Sequence, residues 1–446
     1  MTHTSTVGNQ QAGTRASKSA RRATAAGWVG SVLEYYDFVI YGTAAALVFP
    51  ALFFQTGDPA VATVVSLASI GTAYLIRPFG ALVMGHLGDR VGRKPVLVAS
   101  ILLTGVATFL IGCLPNYGTI GVAAPVLLIL LRLIQGFAVA GEVAGATSLT
   151  LEHAPSKRRA LFSSFTYSGT QVGVVLASLV WILLVRLPED QLMSWGWRIP
   201  FWLSIVVVLV GIILRWGVDE SPEFVDAKTS GDVARFPLLV LFKQNVSSVV
   251  KVVLASLHQA PFLIFSTFAL SYGKKVGGIS SGTLLLMSVL GFALSVVLMT
   301  QWGMLADKIG RKPVFLIGAV GFLVLIFPFL AALRTGNVPL VMLVGITMYG
   351  VAGGACLGSW TALVSEQFET RVRFSGMAVS MQFGLILPSF VPSIATALAG
   401  TSSGGWVWAG LFAGGCIVIS IIAVLTFREG LAASPVSEDI EVPART

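Results

Sequence analysis

Gly85-His86-Leu87-Gly88-Asp89-Arg90-Val91-Gly92-Arg93-Lys94-Pro95 returns later in the chain as Gly303-Met304-Leu305-Ala306-Asp307-Lys308-Ile309-Gly310-Arg311-Lys312-Pro313. The two copies lie 218 residues apart (Gly85 to Gly303), close to half of the 446-residue length. Each copy sets one acid and several bases between two long apolar runs. A charged loop at the same place in both halves is the mark of a duplicated helical membrane protein.

Composition agrees. The chain is 55% hydrophobic and 11% charged, with a mean hydropathy of +0.85. A soluble domain carries roughly 25% charged residues, so lipid is the solvent this composition suits. A membrane helix needs about 20 mostly apolar residues, because only a helix satisfies its own backbone in hydrocarbon. Twelve such stretches stand near 27–49, 61–85, 95–114, 121–142, 160–185, 198–218, 246–272, 279–303, 313–333, 338–361, 374–399 and 405–427. The expected fold is an all-α membrane protein of twelve transmembrane helices in two pseudo-symmetric six-helix bundles. The expected divisions are a disordered tail (1–26), a first bundle (27–218), a linker (219–245), a second bundle (246–427) and a short tail (428–446).

The net charge of +9 and pI near 9.6 follow from topology. If the N-terminus lies inside, only Arg186, Lys274, Lys275 and Arg334 fall in outer loops. Arg77, Arg132 and Arg198 lie within helices or at their ends, and every other Lys and Arg falls inside. That is the positive-inside asymmetry, and it places both termini in the cytoplasm of a multi-pass protein of the cell membrane. Lipid is then the macroscopic partner, and nucleic acid is not. Cys113, Cys356 and Cys416 form no pair motif and read as buried packing residues. The apolar stretch after residue 26 carries Glu34 and Asp37, a poor signal-peptide core, so it reads as a retained helix.

A charge inside a bilayer is expensive unless paired or wetted, so the few present need a reason. Glu34 and Asp37 are spaced i, i+3, with Tyr41 at i+7 on about the same face. A carboxyl that can be either charged or neutral is what a proton relay requires; the bland alternative is a permanent pair with a buried Arg. Arg77 can bind an anion, pair with Glu34 or Asp37, or reach toward the headgroups. Arg132, Gln135 and Glu142 share a polar arc of the fourth helix, and an Arg holds a carboxylate with two parallel hydrogen bonds. An internal ion pair of Arg132 is the alternative. Gln171 is placed to line the same space. The second half offers His258, suited to a proton switch but more often a wall residue, and Gln382. Small residues about four apart, as in the runs Gly136, Gly141 and Gly145 or Gly350, Gly353, Gly354 and Gly358, let helices approach closely. The chain shows no metal-ligand cluster, phosphate loop or catalytic triad, so neither an enzyme nor an ATP motor is expected, and no cofactor.

The doubled Gly-x-x-x-Asp-Arg/Lys-x-Gly-Arg-Lys motif resembles the signature of the major facilitator superfamily. So do Arg132-x-x-Gln135-Gly136 and Glu220-Ser221-Pro222-x-Phe224. More narrowly, Glu34-x-Tyr36-Asp37-Phe38-x-x-Tyr41-Gly42, Arg77-Pro78-x-Gly80, Gln135-Gly136-Phe137-Ala138-x-x-Gly141-Glu142 and Trp197-Arg198-x-Pro200-Phe201 resemble the metabolite:proton symporter family. That family includes carriers of shikimate, 2-oxoglutarate, citrate, and proline or betaine. Its osmolyte carriers tend to have a long C-terminal coiled coil, which this tail lacks. The resemblance implies two bundles rocking about a central cavity, in a monomer that carries a small organic acid together with a proton. The reading of the intramembrane polar residues puts Glu34, Asp37 and Glu142 at proton coupling, and Arg77, Arg132, Gln135, Tyr41, Gln171, His258 and Gln382 at substrate. Gating falls to Gly85, Asp89, Arg90, Arg93, Gly303, Asp307 and Arg311. Proton-antiport export and a zwitterion cargo are the alternatives.

Overall fold

The computed structural model describes residues 28–55, 57–91, 93–140, 158–216, 245–369, 373–400 and 404–428. Among them, twelve helical spans follow one another. α1 covers 28–47 and continues as Phe49–Leu52. α2 is Pro59–Val91, α3 Arg93–Cys113, α4 Ala123–Val139 and α5 Arg159–Leu184. α6 is built of Gly196–Arg198, Ile199–Trp202 and Ser204–Trp216. α7 spans Val246–Lys275, α8 Ser281–Ile309, α9 Arg311–Thr335 and α10 Val338–Ser365. α11 is built of Arg373–Gly384, Ile386–Ser389 and Val391–Ala399, and α12 is Gly405–Leu425. Eight of these spans are long and apolar enough to cross a membrane, and shorter apolar segments lie in α3, α4 and α6. Many outward side chains are large and apolar, such as Leu183, Leu343 and Phe79, as a lipid-facing surface requires.

The doubled motif is more helical than its reading as a loop. α2 continues to Val91 and α8 to Ile309, so Asp89 and Asp307 stand on last helical turns. In the second copy the turn is made by Gly310 alone, at φ 102°, a conformation open to glycine and strained for other residues. α9 restarts at the next residue. The side chains of Gly85, Asp89, Arg90 and Arg93 lie outside the described residues, as do Glu142, the N-terminal tail, nearly all of the 219–245 linker, and 429–446.

Helix contacts follow the small residues. A Cβ on Gly136 of α4 would lie 2.0 Å from Ala73 O of α2, and one on Gly80 of α2 would lie 2.3 Å from Phe137 O of α4. The two backbones therefore touch through reciprocal glycines. α1 and α5 do the same at Gly169 and Gly173, and α8 and α10 at Gly358. Between the halves, α5 packs along α8 and α10, and α2 packs along α11. Two spans are interrupted by π-helical turns, Ile264–Phe268 in α7 and Met348–Gly353 in α10. Of the cysteines, Cys356 and Cys416 are buried as expected, whereas Cys113 is exposed at the end of α3.

Candidate functional site

The helical spacing of α1 brings Glu34, Asp37 and Tyr41 to its buried side, where α2, α3 and α4 converge on them. Two polar nests result. In the first, Arg77 Nη1 of α2 donates to Glu34 Oε1 at 3.0 Å, and the guanidinium carbon sits 4.1 Å over the Tyr74 ring. Of the three options for Arg77, this state holds the ion pair.

The second nest is a relay of neutral bridges. Thr108 Oγ1 of α3 donates to Asp37 Oδ2 at 3.1 Å, and Gln135 Nε2 donates to Thr108 Oγ1 at 2.6 Å. Gln135 Oε1 accepts from Arg132 Nη1 at 3.0 Å, while Arg132 lies 3.9 Å over the ring of Tyr41. Tyr41 OH reaches Ser69 Oγ at 2.7 Å. Asp37 and Arg132 are thus joined through Gln135 and Thr108 rather than in contact. Among the described residues neither has a salt-bridge partner, and Asp37 Oδ1 and Arg132 Nε have no hydrogen-bond partner. Thr108 has one hydroxyl proton and a second acceptor in reach, Thr104 O at 2.8 Å. Its proton has a choice.

The other expected residues do not join these nests. Gln171 of α5 donates to Thr170 Oγ1 at 2.9 Å, and its Oε1 has no partner. Gln382 of α11 donates to Ala140 O at 3.3 Å, a bond across the halves. His258 sits in the 3₁₀ turn of α7, its Nδ1 2.9 Å from Ala255 O and its ring 4.4 Å from Trp360 and 5.0 Å from Phe315. Its Nε2 has no hydrogen-bond partner among the described residues.

A small cavity lies between the bundles. Tyr35, Phe38 and Tyr74 line it from the first half, and Gln259, Phe262 and Ser389 from the second. Aromatic rings thus stand between this space and the charged nests. Thr108 and the aromatic wall were absent from the sequence reading. A Thr within an apolar run carries no signal until its helix is placed beside α1 and α4.

At the end of the bundle that carries the doubled motif, Asp307 reaches across the halves. Its two carboxylate oxygens accept from Ala160 N and Leu161 N at 3.1 and 3.0 Å, the second and third residues of α5. α5 has no side-chain cap of its own, so α8 supplies it. Arg311 holds Asp307 at 3.2 Å and Glu366, just past α10, at 2.8 Å. Gly303 lets α8 come this close, for a Cβ there would lie 2.6 Å from Ser164 Oγ.

The chain matches the family model described as "Sugar (and other) transporter" over residues 23–260 and that of the Major Facilitator Superfamily over 259–444. It is 35% identical to the shikimate transporter of Escherichia coli (strain K12) over 419 residues, covering 93% of this chain and 96% of that one. To the inner membrane metabolite transport protein YhjE of the same strain it is 37% identical, covering 92% and 94%. To the proline/betaine transporter of that strain it is 29% identical, covering 94% and 87%. Among solved structures, a D-xylose-proton symporter superposes with a TM-score of 0.72 at 20% identity, covering 91% of this chain and 97% of that one. The twelve-helix, two-bundle architecture is the one these structures share, and none of these relatives is an enzyme. The chain belongs to the major facilitator superfamily, in its family of metabolite carriers, and is a multi-pass membrane transporter.

Proposed function

We propose that this transporter takes up a small organic acid together with a proton, by alternating access, as a monomer of the cell membrane with both termini and the doubled motif in the cytoplasm. One chain holds both bundles and the cavity between them, which supports the monomer as the working unit. The charge asymmetry of the loops supports the orientation. The proposed divisions are a tail (1–26), a first bundle (27–218), a linker (219–245), a second bundle (246–427) and a second tail (428–446).

The observation that carries the coupling is Asp37, a buried carboxyl held by a hydroxyl and tied to Arg132 through neutral groups. When Asp37 is charged, the Thr108 proton belongs to it. When Asp37 is protonated, Thr108 turns its proton to Thr104 O and still accepts from Gln135. Gln135 keeps its bonds to Thr108 and Arg132 in both states, so Asp37 can change charge while Arg132 stays in place. Arg132 has no carboxylate against it among the described residues, so it is the cation available to a substrate carboxylate once the bundles part. Glu34 with Arg77, and Glu142, are the secondary coupling groups. Tyr41, Gln171, His258 and Gln382 remain the candidate polar lining. The Asp307–α5 cap serves as the gate on the cytoplasmic side, together with Asp89 as the matching position of the first copy.

For cargo, the 35% identity to a shikimate transporter favours a hydroxylated ring acid, with a keto acid or dicarboxylate as the wider class. The aromatic cavity wall of Tyr35, Phe38, Tyr74 and Phe262 also suits a quaternary ammonium, so a betaine-type zwitterion is the second reading. One charge falling through about 100 mV supplies about 2.3 kcal/mol. That concentrates a net-neutral substrate roughly fifty-fold per proton. A monoanion moving with one proton carries no net charge and draws on the pH gradient alone.

Purified protein in proteoliposomes tests the proposal with a panel of labelled organic acids and betaines. Accumulation should rise with an inward proton gradient and collapse with an uncoupler. Accumulation indifferent to both would overturn the coupling. Accumulation of a betaine and of no acid would replace the first cargo by the second.

A further inference from the structure

At the end away from the doubled motif, the cavity is roofed by two side chains seated against glycines. Gly71 of α2 faces the ring of Phe390 of α11 so closely that a Cβ would lie 2.4 Å from two of its carbons. Gly42 of α1 faces Thr267 of α7, whose Oγ1 is 3.3 Å from where a Cβ would stand. Both pairs lie about one turn beyond the cavity wall. Gly42 follows the lining residue Phe38 on α1, and Gly71 precedes the lining residue Tyr74 on α2, which runs the other way. Farther out, Ser393 Oγ of α11 donates to Val64 O of α2 at 2.9 Å. Both roofing side chains also sit where their helices leave α geometry. Thr267 belongs to the π turn Ile264–Phe268. Phe390 occupies the break between Ile386–Ser389 and Val391–Ala399, between Pro388 and Pro392. Such interruptions absorb changes of backbone angle that a continuous helix resists.

We propose that Phe390 is the plug of the far-end gate: seated at Gly71 it seals the cavity, and it swings on the break in α11 to let substrate pass. Neither roofing contact contains a charge, so this end opens by withdrawing a ring from a notch. The other end opens by releasing a carboxylate from two backbone N–H groups. The proposal rests on membership of the transporter family and on neither the cargo nor the coupling ion.

Side-selective labelling tests it in the full-length chain with Cys113, Cys356 and Cys416 replaced. A cysteine introduced as Ser389→Cys reports from the cavity wall, where Ser389 is buried. A membrane-impermeant maleimide is applied to right-side-out and to inside-out vesicles, with no substrate or gradient needed. Phe390→Ala should raise labelling from the far face roughly tenfold, a shift of about 1.4 kcal/mol toward the open state, and leave the motif face unchanged. Gly71→Ala should act in the same direction by displacing the ring, and Phe390→Leu should label more slowly than Phe390→Ala. Should Phe390→Ala fail to fold, Gly71→Ala and Phe390→Leu decide. Parental labelling rates in every folded variant, or a rise equal from both faces, would overturn the plug.

Discussion

At the scale of single residues, the contrast is between two carboxyls three positions apart on α1. Glu34 faces a guanidinium at 3.0 Å, whereas Asp37 faces a hydroxyl at 3.1 Å. Removing one partner of a buried ion pair strands the other and costs about 3–5 kcal/mol, whereas neutralising both costs much less. Glu34→Gln should therefore lower the melting temperature of the detergent-solubilised protein more than Glu34→Gln with Arg77→Gln together. Equal or reversed stabilities would show that the pair is not held as a unit. Asp37→Asn makes a different prediction. An amide can accept from Thr108 but cannot change its charge, so accumulation driven by a proton gradient should fall to the passive level while exchange of labelled for unlabelled substrate persists. Accumulation that survives in Asp37→Asn would move the coupling proton elsewhere. The i, i+3 spacing alone put both acids on one face; which of them was paired depended on α2 and α3, forty and seventy residues away.

At the scale of helices, the apolar runs read in the sequence match the twelve spans, because about 20 apolar residues between charged turns permit little else in lipid. Their ends were less legible, since α2 and α8 carry on through the charged motif until a glycine turn stops α8. The π turns in α7 and α10 left no mark in the hydropathy, and they bring Phe265 and Tyr349 face to face at 5.1 Å between centroids. Small-residue spacing was legible as close packing, and the α2–α4 crossing shows it. Gly136 and Gly80 each put a neighbouring backbone carbonyl where a side chain would go. A Cβ 2.0 Å from a carbonyl oxygen cannot be relieved by rotating a side chain. Gly136→Val should thus separate α2 from α4, breaking the bond from Arg132 Nη2 to Ile70 O between them, and lose both thermal stability and uptake. A control at Gly415 of α12, where a Cβ meets nothing within 4 Å, should lose neither as Gly415→Ala. A stable, active Gly136→Val protein would show that the crossing is looser than its geometry.

At the scale of the whole molecule, the two ends of the cavity are closed by different chemistry, and the doubled motif explains only one of them. The repeat told of duplication and of a charged device in each half. It could not tell that Asp307 caps α5, because that partner lies 147 residues earlier in the chain and in the other bundle. The cap joins α8 to α5 at the motif end, so it stabilises the state closed there and is absent once the bundles part. A side-chain cap on a helix N-terminus is worth about 0.5–2 kcal/mol. One or two kcal/mol corresponds to a factor of roughly 5–30 in an equilibrium. Asp307→Ala removes both acceptors and leaves Arg311 its second partner, Glu366, so the turn itself should survive. With the Ser389→Cys reporter, Asp307→Ala should raise maleimide labelling from the motif face by a factor in that range and leave the far face unchanged. Combined with Phe390→Ala, the two effects should appear at their own faces, each at the size seen alone, if the ends are latched separately. Labelling that rises at the far face in Asp307→Ala, or at neither face, would show that the α8–α5 cap fixes helix geometry without holding the motif end shut.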